Sequence, residues 1–400
     1  MTDSSYNWVQ SDASNNAWDS ICISSLGQYI FACINAAGIW KSSNYGLTWV
    51  QTSAPTANWQ SICCSSSGEF LAACVLSGYI YTNNNYGTGT WVQTSAPFYQ
   101  WQSICSSSSG QFLAACTKNN NGLYVSSNYG VNWTISLNAN GLFSNCISSS
   151  GKYLATCDVV SYYFYTNNNY GTVMWTQTLV ANESWTSICC SSSGEFLAVC
   201  AIGGGIYTNS NYGSGTWTQT SAPSSTWYSI CSSSSGEFLA ACAIGGGIYT
   251  SADYGVTWIL QTILPILNWF SISISSSGEY LAACVNGGGI WIGKNPSLAP
   301  PTPTPTPPTP PTPPTPPTPP IPTPTQYPII TTIPNPIISG QPATITYQDN
   351  YYLPIPNNYY VLRNQLGVTV SNVFIATDSQ LFTFTNVYLM AGLNVLYIYN

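Results

Sequence analysis

The stretch Ser42-Ser43-Asn44-Tyr45-Gly46-Leu47-Thr48-Trp49 decides the fold, because the chain writes it again and again. Variants of the phrase end at Trp91, Trp133, Trp175, Trp217 and Trp258, each about 42 residues from the next. A repeat of this period means that one supersecondary unit, unable to bury its own apolar face, is stacked against copies of itself.

Outward from the phrase, the unit has four beats. A first segment, Trp-x-Ser-Ile-Cys, opens at Trp18, Trp59, Trp101, Trp185 and Trp227; a degraded copy opens at Leu142, and the copy opening at Trp269 ends in Ser273. A polar turn such as Ser66-Ser67-Gly68 leads into a second apolar run, Phe70-Leu71-Ala72-Ala73-Cys74. A third segment follows glycine, as in Gly205-Ile206-Tyr207, and the Asn-Tyr-Gly phrase turns into the fourth. Short β-branched and aromatic runs between Gly, Ser and Asn turns read as antiparallel strands, and four per unit is one propeller blade.

The first segment occurs seven times, whereas the fourth follows the phrase six times. A seventh fourth segment, Asn7-Trp8-Val9-Gln10, stands alone near the start, and the last unit breaks off after Ile290-Trp291-Ile292. The expectation is an all-β chain with a closed seven-bladed β-propeller over 1–297, its last blade completed by the N-terminal strand. Residues 298–326, rich in Pro and Thr, are expected to form a polyproline II linker. Short apolar runs from 327 to 400 are expected to form a small immunoglobulin-like β-sandwich.

Only 4% of residues are charged, against roughly 25% in an ordinary soluble domain. Solubility therefore rests on neutral Ser, Thr, Asn, Gln and Tyr, a surface common on extracellular and virion-surface proteins. The net charge of −7 argues against nucleic acid as a partner. No apolar run reaches the roughly 18 residues of a membrane span, and the start has no basic and apolar leader. The expected location is a virion or extracellular surface, reached without a secretory signal after cytoplasmic synthesis.

The turn phrase resembles the Asp-box of the bacterial neuraminidase repeat, Ser-x-Asp-x-Gly-x-Thr-Trp, found in sialidase-like propellers. The match runs through Ser42, Asn44, Gly46, Thr48 and Trp49, through Ser126, Asn128, Gly130 and Trp133, and through Ser251, Asp253, Gly255, Thr257 and Trp258. The copies ending at Trp91, Trp175 and Trp217 carry one extra residue, and Asn replaces Asp in five of six. The repeats are also similar in style to propeller repeat proteins of giant DNA viruses. The resemblance implies a propeller fold and a structural role for Asn44, Gly46, Trp49, Asn128, Gly130, Trp133, Asp253, Gly255 and Trp258. It also implies that an active site, where there is one, lies on the face away from these turns. Sialidases have six blades and grip their substrate carboxylate with three arginines. This chain has one arginine, Arg363, outside the propeller, so sialidase chemistry is not expected.

The chain has no histidine, which removes His-based triads and dyads and most metal sites. Glu69, Glu195, Glu237 and Glu279 sit at one repeat position in different units and read as solvated turn residues. Asp12, Asp158 and Glu183 fall in connections on the opposite side. A glycosidase pair there, two carboxylates about 5–9.5 Å apart, is the weaker enzymatic reading. No metal and no cofactor is expected.

The fifteen cysteines are periodic: six end first segments, seven end second segments, and Cys64 and Cys190 are extra neighbours. Cys63 and Cys74 flank a tight hairpin, and neither register sets them directly opposite, so buried thiols are favoured over disulfides within each hairpin. Trp18, Trp59, Trp101, Trp185, Trp227 and Trp269 read either as plugs between blades or, with Asp158 and Tyr162, as a binding face on which sugar rings or an apolar peptide stack. The expected function is a non-enzymatic surface or virion-associated protein whose propeller head recognises glycan or protein, with assembly through the C-terminal β domain. The alternatives are a purely structural capsid or fibre decoration and, more weakly, a divergent polysaccharide-active enzyme.

Overall fold

A computed structural model describes residues 6–298, apart from 120 and 173, together with short strands beyond 329. The chain divides into two units, Met1–Pro305 and Thr306–Asn400. The expected polyproline linker lies outside the described residues.

Among the described residues of the first unit every regular element is a strand, apart from a short 3-10 turn at Pro296–Leu298. The opening set shows the pattern: an inner strand Asn16–Ile23 pairs with Ile30–Ile34, then Ile39–Ser42, then Val50–Gln51, all antiparallel. The other inner strands are Trp59–Cys64, Trp101–Ser106, Leu142–Ile147, Ser184–Cys190, Ser225–Ser232 and Leu267–Ile274. The set built on Leu267–Ile274 takes its fourth strand from the chain start. Asn7–Gln10 pairs with Ile290–Lys294 in the register Trp8 to Gly293 and Gln10 to Trp291.

The second strand of each set is the driest. Leu71–Val75 is buried along its whole length, as is Leu113–Thr117. A strand covered on both faces reads as a continuous apolar run, and small Ala and Cys let neighbouring sets approach closely.

Inner strands are tied side by side at two levels. The backbone N–H of Ser25 donates to Ser66 O, Ser66 to Ser108, Ser108 to Ser149, Ser149 to Ser192, Ser192 to Ser234, Ser234 to Ser276, and Ser276 back to Ser25, at 2.8–3.0 Å. Deeper in, the Ser20 hydroxyl accepts from Ile62 N, Ser61 from Ile104, Ser144 from Ile188, Ser187 from Ile230, Ser229 from Ile272 and Ser271 from Ile21. These bonds satisfy inner-edge groups that a lone sheet leaves bare.

Each Ser-Ser-Gly turn is locked by the serine just before it, as where Ser65 Oγ accepts from Phe70 N at 3.1 Å. Gly68 there has φ +81°, and a Cβ on it would lie 2.8 Å from Cβ of Tyr29 in the preceding set. Both the left-handed backbone and the close approach require glycine.

The second unit contains two three-stranded sheets. One orders Ile330–Thr332, Pro342–Gln348 and Leu381–Tyr388; the other orders Phe374–Ile375, Tyr359–Arg363 and Tyr397–Tyr399.

Candidate functional site

The Asn-Tyr-Gly turn is a closed hydrogen-bond circuit. Ser42 Oγ accepts from Gly46 N at 2.9 Å, Asn44 Oδ1 accepts from Thr48 N at 3.0 Å, and Trp49 Nε1 donates to Gly46 O at 3.2 Å. In the one acidic copy, Asp253 accepts from Thr257 N and from the Thr257 hydroxyl at 2.9 and 2.6 Å. Burial alone would raise the Asp253 pKa, but these bonds outweigh it and hold the carboxyl below its ordinary range. The residues that the Asp-box likeness marks as structural are all engaged in turn bonds or packing.

The tryptophan ring is a correction. Trp18, Trp59, Trp101, Trp185, Trp227 and Trp269 are each 0% exposed. An indole with no open face cannot stack a ligand, so the binding-platform reading fails and the packing reading holds. Five of them donate to a backbone carbonyl: Trp18 to Ser14, Trp59 to Pro55, Trp101 to Pro97, Trp227 to Pro223 and Trp185 to Tyr162. The first four thereby pin the connection arriving from the previous set, whereas Trp185 holds the turn between Leu154–Asp158 and Tyr163–Asn167.

Asp158 and Tyr162 fall in one turn, and both are occupied by it. Asp158 is 1% exposed, and its Oδ1 accepts from Val160 N at 2.6 Å and Ser161 N at 2.9 Å. Tyr162 has φ +64° and spends its carbonyl on Trp185. Glu183 accepts from Gly205 N at 3.1 Å and from the Tyr207 hydroxyl at 3.0 Å. Glu279 makes a 3.5 Å ion pair with Lys294, and the four turn glutamates stay one per set. Among the described residues no cluster of His, Cys, Asp and Glu has the makings of a metal site, and all fifteen cysteines are free.

Repeat counting passes over the residue after each opening tryptophan, which sits at a register shift in the inner strand. These residues are Asp19, Gln60, Gln102, Phe143, Thr186, Tyr228 and Phe270. Phe143 and Tyr228 lie on non-adjacent inner strands, yet their rings meet at 6.4 Å, and Tyr228 meets Phe270 at 4.8 Å. Side chains of non-neighbouring strands touch only where they converge on a shared axis, so this layer plugs the centre. Asp19 accepts from Asn35 at 3.0 Å and Asn286 at 3.3 Å; burial nevertheless pushes its carboxyl above the ordinary range. The signal in sequence was irregularity itself, because this position carries five residue types among its seven copies.

The connections at that end carry an exposed apolar set: Phe98 at 57%, Val160 at 66%, Ile202 at 44%, Ile263 at 70% and Ile266 at 75%. Phe98 rests edge-on against Tyr79 at 5.3 Å, beside Tyr99, which packs on Tyr124 at 5.8 Å. Burial and the neighbouring Tyr99 phenol push the Tyr124 hydroxyl up to about 12. The opposite end is lined by serines, with a polar recess of about 160 Å³ inside the backbone ring.

Stacked four-stranded sheets around a plugged axis define a β-propeller, and solved structures similar to this chain agree. YCF48 from Cyanidioschyzon merolae superposes with TM-score 0.57 at 14% identity, over 71% of this chain and 98% of that one. A structure of YCF48 bound to a D1 peptide matches with TM-score 0.57 at 15% identity, over 72% and 94%. The GH74 xyloglucanase from Xanthomonas campestris matches with TM-score 0.57 at 12% identity, over 72% of this chain and 54% of that one. At these identities the likeness is one of fold. No family model matches the sequence, and no curated protein matches it.

Proposed function

We propose that the protein is a non-catalytic binding propeller, closed into seven blades over residues 1–297, that receives an extended protein segment on the Phe98 face. The observation that carries this is the exposed set Phe98, Val160, Ile202, Ile263 and Ile266 around the central plug. An aromatic anchor braced by a neighbouring ring, on an end that also exposes aliphatic side chains, suits an apolar peptide better than a polyol. The peptide held by YCF48, a propeller of similar fold, supports the reading. The seven-membered serine cycle and the pairing of Asn7–Gln10 with Ile290–Lys294 support the closure.

Against catalysis stand Asp158 and Glu183, whose oxygens are held by turn N–H groups and a phenol. Display on a virion or cell surface goes with the proposal, and is tested by proteomics of purified particles. Binding is tested with a linear-peptide display library panned on the intact protein. Selected peptides should lose about 2 kcal/mol of affinity, roughly thirtyfold, on Phe98→Ala. Peptides indifferent to Phe98→Ala and to Ile266→Ser would place recognition elsewhere. A glycan-array signal without peptide binding would move the reading to carbohydrate.

A further inference from the structure

The two cysteines that break the repeat, Cys64 and Cys190, are the ones that bring thiols together across blade boundaries. Inner strands of neighbouring sets run side by side in a fixed offset. The bond from Ile62 N to Ser20 Oγ places residue 20 beside residue 62, so two residues further on Cys22 lies beside Cys64. The bond from Ile188 N to Ser144 Oγ likewise places Cys146 beside Cys190. At the other junctions the same rule pairs Cys63 with Ser106, Cys105 with Ile147, Cys189 with Ser232, Cys231 with Ile274, and Ser273 with Ile23. Only the two irregular positions make a thiol–thiol pair.

The packing agrees. Cys22 and Cys64 belong to one apolar cluster, Cys146 and Cys190 to another, and within each pair the side chains interact directly. Cys64 and Cys190 are half-buried and line the recess at the serine mouth, while Cys146 and Cys190 together line a cleft of about 240 Å³ between two sets. Each pair therefore has a buried thiol and a partner that a small oxidant can reach.

We propose that Cys22–Cys64 and Cys146–Cys190 are two disulfide sites that staple neighbouring blades under peroxide. The half-buried thiol of each pair attacks the peroxide O–O bond, giving a sulfenic acid and one water. The buried thiol then attacks that sulfur, forming the S–S bond and releasing a second water, with its proton leaving on the departing hydroxide. Two thiols are oxidised and one peroxide is reduced to two waters. Burial raises the pKa of Cys22 and Cys146, so each is held as the thiol until its partner is oxidised.

The test treats the intact protein with hydrogen peroxide, blocks remaining thiols, and maps chymotryptic peptides without reduction. Cys22–Cys64 and Cys146–Cys190 linkages are expected, with a thermal midpoint several degrees higher that a thiol reductant reverses. Cys64→Ser and Cys190→Ser copy the serine that the repeat itself carries at Ser106 and Ser232, so both variants keep the packing. Together they should abolish the linkages and the shift, whereas Cys105→Ser should leave both intact. Sulfinic acids at Cys64 and Cys190, or linkages within hairpins such as Cys63–Cys74, would overturn the proposal. Linkage at one pair alone overturns it for the other, and linkages with no thermal shift overturn the staple role.

Discussion

Each turn into an outer strand begins with either Ser or Asn, and the choice follows the length of the loop. The shorter turns start at Ser42, Ser126 and Ser251, whose hydroxyls accept from Gly46, Gly130 and Gly255. The turns with an extra residue start at Asn83, Asn167 and Asn209. Asn209 Oδ1 still accepts from Gly213 N at 2.8 Å, while its Nδ2 donates to Ser214 O and Thr216 O, the carbonyls turned inward by the longer path. Asn209→Ser strands both carbonyls and should cost about 2 kcal/mol in thermal or denaturant unfolding. The same change is already the native solution in the shorter loops, so the effect depends on length. That coupling was present in the sequence, but it becomes readable only once the bonds assign each side chain its job. Asp19 makes the second prediction at this scale. Its folded pKa is raised above the ordinary 3.8, so the folded state holds the proton more tightly than the unfolded chain. Stability from this group is full below 3.8 and is lost as pH rises through the raised value. Asp19→Asn should therefore raise the melting midpoint at pH 7 relative to wild type, and the gain should vanish near pH 3.

At the scale of elements, the tyrosine of the repeated phrase is the clasp between sets, a role the sequence reading did not give it. Tyr45 packs on Tyr280, Tyr86 on Tyr29, Tyr129 on Phe70, Tyr170 on Phe112, Tyr212 on Tyr153 and Tyr254 on Phe196, with ring centroids 4.5–5.7 Å apart. Every partner belongs to the preceding set, just after its Ser-Ser-Gly turn. The tyrosines hold φ between 50° and 60°, a left-handed backbone that costs a side chain about 1–2 kcal/mol. An aromatic pair returns about 0.5–1.5 kcal/mol, so stack and strain nearly cancel. Tyr129→Ala keeps the strain and loses the stack, and should destabilise by about 1 kcal/mol. Tyr129→Gly loses both, and should lie within about 0.5 kcal/mol of wild type in the same unfolding measurement. The degraded fourth copy gives a complementary case. Asn145 stands where the repeat carries Ile, and its Nδ2 donates to Ala114 O and Cys105 Sγ at 2.9 Å. Its Oδ1 is buried with no partner. Asn145→Ile should stabilise by about 1 kcal/mol, since an unmet buried oxygen is costlier than the bonds surrendered.

For the whole molecule, the repeat made strand order and turn positions legible because each copy solves the same packing problem with the same residue types. Function was less legible for the same reason. Trp18 and its equivalents drew attention by recurring, yet recurrence marks shared packing, and all six are sealed. Phe98, Ile263 and Ile266, which carry the proposed binding face, recur nowhere and have no periodic signal. The proposed closure is where the scales meet. Trp8 donates to Gln261 at 3.2 Å, Tyr6 donates its hydroxyl to Gly278 O at 2.6 Å, and Ser11 N donates to Ile290 O at 2.9 Å. Residues 6–11 thus grip both of the final two sets, some 250 positions away along the chain. Deleting residues 1–10 bares the ladder edge of Ile290–Lys294 and removes two buried aromatic side chains, each worth about 2 kcal/mol or more. The truncated protein should melt well below the full chain and associate through the open edge, as read by calorimetry and light scattering. A synthetic peptide spanning residues 1–12, added in trans, should restore part of the midpoint in proportion to its concentration. A truncation that melts with the full chain and stays monomeric would show that the ring holds without its N-terminal strand.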